Sequence, residues 1–502
     1  MSTLEALAHG LMIALQPENL LWAFLGCLLG NVVGVLPGLG SAGAIAILLP
    51  VTTVLPPTAA IIMLAGLFYG SNYGGTITTI LLNIPGEASS AITAIDGNPM
   101  ARKGRAGAAL GISAIGSFVG GVFATIVLAF GAAQLATVGL MMGPAERFSL
   151  MVFALSLLSA LLGAKAAKGM AAAFAGLLVA SVGIDPVVGI PRLTFGSTEM
   201  LDGVNFVAAV MGLFGVSEVL VALEQGVRGK ISENVGPVLP TRKDLRDSFA
   251  PIARGSLIGT VIGMIPGTNG TLASFLAYGA ETAVAKDPTR FGKGAIEGVA
   301  SPETANNAFA NANFIPLLAL GIPGTASLAI LMGGMMMYGL TPGPFLFRDN
   351  PDVVWAVIAS MFVGNFILLV LNVPLAFVWI QMLRVRYSLL APIIVLLTLV
   401  GSYSLMNSMV GVWTTIAFGA VGYVMKKIDL PIAPMVLTMV LGPLLESNMR
   451  RALEISNGNF SVFVESPISG TILLAACLVV IFGVARLVHH RRNAPPVFAD
   501  DE

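Results

Sequence analysis

The sequence predicts an all-α polytopic membrane protein of about 10–13 helices, because each membrane span requires ~20 apolar residues. We expect two inverted-topology repeats that contain broken or re-entrant helices. Three observations predict this fold: an apolar composition, motifs that recur in both halves, and helix-breaking residues within apolar segments. Only 10% of the 502 residues are charged and 56% are hydrophobic, whereas roughly 25% of residues are charged in soluble domains. A soluble chain would expose this apolar excess to water, so a cytosolic enzyme is excluded.

Residue types that other functions require are scarce. The 26 basic and 26 acidic side chains balance, so no excess of positive charge points to nucleic-acid binding. Cys27 and Cys477 lie in apolar runs, where we expect buried thiols rather than a disulfide or a zinc site. The three histidines lie near the chain ends, and no phosphate-binding loop motif occurs. We therefore predict no enzyme activity, no catalytic residue, no metal site and no cofactor.

The two halves of the chain carry matching motifs in the same order. A hydrophilic segment, residues 224–254, divides them, and the first two matches are separated by 229 and 238 positions. The sequence thus predicts a first transmembrane repeat over 1–223, a central cytoplasmic linker over 224–254, a second repeat over 255–488 and a C-terminal tail over 489–502. The matching segments are Val32–Gly38 with Val261–Gly267, Ile84–Ser89 with Ile322–Ser327, Arg147–Leu150 with Arg386–Leu389, and, loosely, Ile184–Asp185 with Ile428–Asp429.

The distribution of basic residues predicts that the two copies are inserted in opposite orientations. Loops on the cytoplasmic side are enriched in Lys and Arg. In the first half the basic loop follows the second motif, and in the second half it follows the first motif. The equivalent loop of the other half is nearly uncharged in each case. The two basic loops contain Arg102, Lys103 and Arg105, and Lys286, Arg290 and Lys293.

Four Pro-Gly pairs interrupt the apolar segments at paired positions, beginning at Pro37, Pro85, Pro266 and Pro323. Proline removes a helix hydrogen bond, so each pair predicts a break that must face protein or a wet cavity. The half-helix after a break has free N–H groups and partial positive charge, which suit a carboxylate. The alternative is that these residues only shape helix packing. We favour a shared substrate site, whose predicted residues are Gly38, Gly40, Ser41, Asn72, Asn83, Gly86, Ser89, Gly267, Thr268, Asn269, Asn311, Gly324 and Thr325.

Buried carboxylates and amides predict a site for a coupling ion. Glu87 follows the second break, and a carboxylate at membrane depth is costly and usually functional. Its alternative role is to cap a half-helix N-terminus. Glu303 and Asn307 are further candidates. By their spacing, Asn307 and Asn311 can share one helix face with Glu303 or Thr304. Asn306 and Asn313 lie in the same polar segment. The alternative for these polar residues is hydrogen bonding between helices. We expect Glu281 to lie near a membrane surface. The alternative interpretation is that it is simply a solvated residue at a helix end.

Three segments together resemble one known family. They are Gly34–Gly40, Asn83–Ser90 and Asp96–Gly104, and the chain resembles the large membrane subunit (TctA) of the tripartite tricarboxylate transporters. The resemblance implies a multi-pass protein of the bacterial inner membrane that imports citrate or another organic carboxylate with Na⁺ or H⁺. It also implies two partners, a small membrane subunit and a periplasmic solute-binding protein.

The predicted function is therefore that of a secondary active permease subunit surrounded by membrane lipid, without nucleic acid. One alternative is a passive organic-anion channel, which the paired polar breaks disfavour. A second alternative is a membrane-embedded lipid-modifying enzyme, which would need buried acid–base pairs or a histidine in the apolar spans.

Overall fold

The computed structural model describes residues 2–36, 40–161, 165–185, 188–225, 236–382 and 387–492. Within these ranges almost all regular structure is helical, and six helices are long and apolar enough to cross a membrane. The prediction of an all-α polytopic membrane protein is confirmed. Gly38 of the predicted site, residues 226–235 of the linker, Arg386 of the third motif and residues 493–502 of the tail lie outside the described residues.

The helices of the first half include both long spans and short segments beside the breaks. They are α1 (Thr3–Ala14), α2 (Pro17–Val35), α3 (Gly40–Thr52), α4 (Pro57–Leu82), α5 (Ala94–Arg102), α6 (Ala106–Met141), α7 (Pro144–Leu161), α8 (Ala166–Ala180), α9 (Phe206–Val210) and α10 (Ser217–Gln225). A 3₁₀ helix (Ala88–Thr93) precedes α5, and a π-helical segment (Met211–Val216) joins α9 to α10. Two short strands, β1 (Gly183–Ile184) and β2 (Pro191–Arg192), pair antiparallel with Gly183 opposite Arg192.

The helices of the second half follow a similar alternation. They are α11 (Arg242–Gly263), α12 (Gly270–Val284), α13 (Glu297–Ala312), α14 (Phe314–Leu320), α15 (Ala326–Met337), α16 (Leu346–Asp349), α17 (Pro351–Asn372), α18 (Ala376–Met382), α19 (Tyr387–Met406), α20 (Met409–Lys427), α21 (Ile432–Ile455), α22 (Val462–Glu465) and α23 (Pro467–Arg492). The polar residues from Arg242 to Arg254, which the sequence placed in the linker, form the first turns of α11. Thr241 and Asp244 make a capping box that starts this helix.

The chain folds into two compact units that do not coincide with the predicted repeats. The large unit contains Met1–Leu140 and Val204–Val424, and the small unit contains Met141–Gly203 and Met425–Glu502. Each unit therefore draws residues from both halves of the sequence. In the small unit Arg450 donates to Asp185 at 2.8 Å and pairs with Glu446 at 2.7 Å. These carboxylates balance the charge of Arg450 within the small unit.

In the large unit, two helix pairs pack in the same way through glycine. A Cβ atom on Gly26, Gly30 or Gly34 of α2 would lie only 2.2–2.5 Å from a backbone oxygen of α4, so only glycine permits this approach. Gly255, Gly259 and Gly263 of α11 meet α13 likewise, at 2.2–2.7 Å. The oxygens belong to Met63, Leu67 and Ser71 in the first pair and to Ser301, Ala305 and Phe309 in the second. Corresponding glycines of the two helix pairs are 229 positions apart in the sequence, and the residues that carry the facing oxygens are 238 positions apart. These are the offsets of the first two motifs, which supports the predicted duplication.

The loops that follow the half-helices gather according to charge. Lys103 Nζ donates to the Lys293 carbonyl at 2.5 Å, so a basic loop from each half lies at the same place. Arg105 also pairs with Asp244 at 2.6 Å. The Tyr338 hydroxyl donates to the carbonyl of Thr52, so the uncharged turns that follow α3 and α15 also meet. Opposite insertion of the two copies stays a prediction.

Candidate functional site

The helices end at each of the four Pro-Gly motifs. α2 ends at Val35 and α3 begins at Gly40, while α11 ends at Gly263 and α12 begins at Gly270. α4 ends before Asn83 and α14 ends before Gly321, and both of these residues are left-handed, with φ of 58° and 72°. A left-handed residue stops a helix and turns the chain. The predicted interruptions therefore exist, and each leaves a set of helix-end backbone groups that need partners.

The N-terminus of α3 receives its partner from the second motif. Ser41 N donates to Glu87 Oε1 at 2.6 Å. Gly40 has a φ of 60°, and a Cβ there would lie 3.8 Å from the Glu87 carboxylate. A carboxylate beside free N–H groups at a helix N-terminus is favourable. Glu87 thus makes the capping contact that was its alternative role, and its predicted role in ion coupling stays a prediction. In this conformation Ser41 offers its backbone N–H to the protein's own carboxylate.

A continuous series of contacts joins all four breaks. Ser41 and Ser327 share a hydrogen bond of 2.8 Å between their hydroxyls, which connects the starts of α3 and α15. Glu87 reaches Ser41 from the second motif. Ser89, two residues later, lies against the start of α12, with its Cβ 3.1 Å from the position that a Cβ on Gly270 would occupy. The first motif of each half therefore meets the second motif of the other half.

Several predicted substrate residues stabilise the ends of the broken helices. Thr268 Oγ1 donates to the carbonyls of Ile262 and Ile265, at 2.7 and 2.8 Å, at the end of α11. Asn269 Oδ1 accepts from Leu272 N at 2.9 Å. Thr325 Oγ1 accepts from Leu328 N at 3.3 Å. These contacts cap α12 and α15 with neutral groups and leave no protein carboxylate bonded to either N-terminus among the described contacts.

The other predicted residues of the breaks have different surroundings. Asn72 Nδ2 donates to the Phe68 carbonyl at 2.9 Å within α4, and Asn83 is exposed at the end of that helix. Gly86 lies so close to α2 that a Cβ there would be 2.4 Å from the Gly34 oxygen. Gly267 has a φ of 87°, which favours glycine. Asn83, Gly86 and Gly267 therefore lie at the breaks, whereas Asn72 lies inside α4, and substrate binding by all four stays a prediction.

Glu303, Asn307 and Asn311 line one face of α13, as their spacing predicts. Glu303 is fully buried and accepts hydrogen bonds of 2.5 Å from Thr76 Oγ1 and Thr93 Oγ1. This carboxylate therefore connects α13 to α4 and to the 3₁₀ helix. These are the interhelical hydrogen bonds of the alternative interpretation, and the ion-coupling role of Glu303 stays a prediction.

The two asparagines on that face extend the buried network. Asn307 Nδ2 donates to Ser117 Oγ at 2.7 Å. Asn311 Nδ2 donates to the Asn307 carbonyl at 2.8 Å, and its Oδ1 accepts from Asn365 Nδ2 at 3.1 Å. The amide of Asn311 is thus occupied on both sides.

Two features were not predicted from the sequence. The side-chain oxygens and nitrogens of Asn306 and Asn313 are buried and have no hydrogen-bond partner within the part of the chain that the structure describes. Arg254 donates to both carboxylate oxygens of Glu281, at 2.7 and 2.6 Å, and Glu281 is 3% exposed. A solvated end at Glu281 is therefore wrong, because α11 covers it with a paired charge.

Comparison with known proteins agrees with the motifs. Residues 20–437 match the family described as "Tripartite tricarboxylate transporter TctA family". An Agrobacterium vitis protein named "Uncharacterized 52.8 kDa protein in TAR-I ttuC' 3'region" is 42% identical over 503 residues, covering 100% of both chains. A second A. vitis protein, "Uncharacterized protein in TAR-II ttuC' 3'region", is 42% identical over 244 residues, 49% of this chain and all of its own length. No solved structure matches the chain. The chain belongs to the tripartite tricarboxylate transporter TctA family, and it is a multi-pass transporter component, not an enzyme.

Proposed function

We propose that the protein is the large permease subunit of a secondary active transporter that imports a tricarboxylate or a related organic carboxylate with Na⁺ or H⁺. A periplasmic solute-binding protein delivers the substrate, and a small membrane subunit completes the complex in the bacterial inner membrane. Membership of a tripartite family implies associated subunits and a binding protein. The proposal adds the substrate class, the coupling ion, the compartment and the kinds of partner.

The observation that carries the proposal is the contact series through Gly270, Ser89, Glu87, Ser41 and Ser327. These contacts bring four helix breaks together in a chain whose described residues include six helices long and apolar enough to cross a membrane. Each break exposes backbone N–H groups that a membrane interior does not satisfy. Transporters use such discontinuous helices to hold anionic groups at half-helix N-termini and cations at freed carbonyls.

The mechanism follows from the direction of the half-helices. α3 and α15 begin at bonded serines and run toward the uncharged loops, where Tyr338 contacts Thr52. α12 begins beside Ser89 and runs toward the basic loops, where its Tyr278 donates to Asp96 at 2.9 Å. In this proposal the breaks lie between two sets of loops of different charge. Movement of one set of half-helices relative to the other would open the breaks to one side at a time, which is alternating access.

Reconstituted transport tests the proposal. The chain is purified with its small membrane subunit, placed in liposomes, and supplied with the binding protein and radiolabelled citrate. We expect accumulation above the external concentration when an inward Na⁺ gradient or an inward H⁺ gradient is imposed. Citrate that only equilibrates, whatever ion gradient is imposed, would identify a passive anion channel and overturn the proposal. Capture of a small membrane protein and a secreted binding protein by the tagged chain tests the partners.

A further inference from the structure

Asn306 and Asn313 differ from Asn307 and Asn311, the other asparagines of α13 and its end. Asn311 and Asn365 bond to each other, whereas the amides of Asn306 and Asn313 are 1% and 0% exposed and have no partner among the described residues. A buried amide that makes no hydrogen bond is costly, so native structures supply a partner from the protein, water or a ligand. Both amides are therefore able to accept a further partner.

The amide of Asn306 lies at the start of α12. Its Oδ1 is 2.8 Å from the position that a Cβ on Gly270 would occupy, and Ser89 flanks the same position at 3.1 Å. Gly270 is the first residue of this 15-residue helix. Because Gly270 has no side chain, the Asn306 amide occupies the space beside the helix N-terminus. A larger residue at position 270 would displace this amide.

The amide of Asn313 lies in the corresponding place beside α15. Its Oδ1 and Nδ2 are 2.4 and 2.6 Å from the position of a Cβ on Gly324, just before the 12-residue helix that Thr325 caps. Two helix N-termini thus each have a buried amide beside them. The N-terminus of α3 differs, because the Glu87 carboxylate is bonded to it. A second anion at α3 would meet that charge, whereas α12 and α15 have neutral caps and keep their partial positive charge.

We infer that Asn306 and Asn313 each donate to a carboxylate of the transported anion, with the N-termini of α12 and α15 beside them. This inference rests on the proposed function and identifies the residues that contact its substrate. The two asparagines are seven positions apart, and Asn313 keeps a helical conformation after α13. Seven helical residues span roughly 10 Å. The ends of a short di- or tricarboxylate are able to bridge such a spacing when each carboxylate lies one hydrogen bond of about 2.9 Å from its amide.

Calorimetric titration tests this inference on the full chain in lipid nanodiscs, with citrate as the probe. We expect the citrate Kd to rise roughly tenfold or more in Asn306→Ala and in Asn313→Ala, because each loses a hydrogen bond to a charged group. Asn306→Asp and Asn313→Asp should weaken binding further by adding a negative charge. The control is Asn372→Ala, since Asn372 Nδ2 donates to the Leu368 carbonyl of its own helix at 2.9 Å. This variant should bind citrate as the unaltered chain does.

The outcomes separate the inference from the proposed function. If the unaltered chain binds neither citrate nor succinate, both are overturned. If it binds citrate and the two alanine variants match it within twofold, only the inference is overturned. A Na⁺ titration gives the remaining outcome: a raised Na⁺ requirement with an unchanged citrate Kd at saturating Na⁺ would assign the amides to the cation and overturn the inference. Melting temperatures of all variants establish that each compared protein is folded.

Discussion

The breaks at α3 and α12 occupy equivalent places in the two halves, yet their chemistry differs. At α3 the chain supplies its own anion, since Glu87 accepts the Ser41 N–H at 2.6 Å. At α12 the cap is the neutral Asn269, and the buried amide of Asn306 lies beside the helix start. A helix N-terminus that is already neutralised has little to offer an anion, whereas one with neutral donors does. The difference teaches that two breaks at matching positions in the sequence can offer an anion very different surroundings.

The same asymmetry extends along the helices that support the two breaks. The α13 positions 238 residues after Ala65, Phe68 and Tyr69 are Glu303, Asn306 and Asn307. The second half thus has a carboxylate and amides where the first half has an apolar or aromatic face. The α2–α4 and α11–α13 pairs therefore share their backbone packing but differ in the side chains that they present. Substitutions can test the packing and the side chains separately.

The largest expected effect comes from substitutions at the close glycine contacts of the α2–α4 and α11–α13 pairs. Gly30→Leu and Gly259→Leu should each lower the free energy of unfolding by about 3 kcal/mol or prevent folding, because overpacking forces tightly packed helices apart. A Cβ at these positions lies 2.5 and 2.2 Å from facing oxygens. Thermal unfolding in detergent, with size-exclusion chromatography, measures the effect.

Gly131→Leu in α6 is the matched control, since a Cβ on Gly131 meets nothing within 4 Å. It should unfold as the unaltered chain does. If Gly30→Leu and Gly259→Leu behave like this control, the two helix pairs are not held by close glycine contacts, and the equivalence of the two halves loses its structural basis.

The second test concerns the charge at α3. Glu87→Gln keeps an acceptor for Ser41 and removes the charge, so we expect a weaker dependence of citrate uptake on the cation gradient. The free energy of unfolding should fall by about 1 kcal/mol, the usual worth of a charged cap. Uptake in proteoliposomes and thermal unfolding are measured on the same preparation.

Glu87→Ala removes the acceptor as well, so it reports the cap by itself. Should Glu87→Gln lose stability while its uptake and cation dependence match the unaltered chain, Glu87 is a helix cap and has no part in coupling. The difference between the α3 and α12 breaks would then concern helix capping and not transport.

The third test concerns the contact between the halves at Ser41 and Ser327. Their hydroxyls are 2.8 Å apart and buried. Ser41→Ala and Ser327→Ala should each cost about 1 kcal/mol, and the double variant should cost about as much as either one, because both remove the same hydrogen bond. A double-mutant cycle on thermal unfolding measures this coupling. Strictly additive effects would show that the two serines do not stabilise each other.

The residues that could be predicted are those whose signal is local in the sequence. A Pro-Gly pair within an apolar segment interrupts the helix at each of the four motifs, whereas a single proline such as Pro302 lies inside a continuous helix. The spacing of Glu303, Asn307 and Asn311 is likewise local and places them on one helix face. The glycines spaced four apart in α2 and α11 are a signal of the same local kind. The partners were not predictable, because Ser41 and Ser327 are 286 positions apart. Nor could the sequence tell a bonded amide from one without a partner, which depends on neighbouring helices.

The smallest expected effect distinguishes capping from binding at α12. Asn269→Asp keeps an oxygen that accepts from Leu272 N and adds a negative charge that favours the helix N-terminus, so stability should be unchanged or slightly higher. If the N-terminus of α12 also receives the substrate carboxylate, the same charge repels it, and citrate uptake should fall severalfold in a fully folded protein. Asn269→Ala should instead lose about 1 kcal/mol of stability with a smaller loss of uptake. Proteoliposome uptake and thermal unfolding report the two quantities independently. An Asn269→Asp protein that transports normally would place the substrate away from α12, because an added charge at that N-terminus cannot be neutral toward a bound anion.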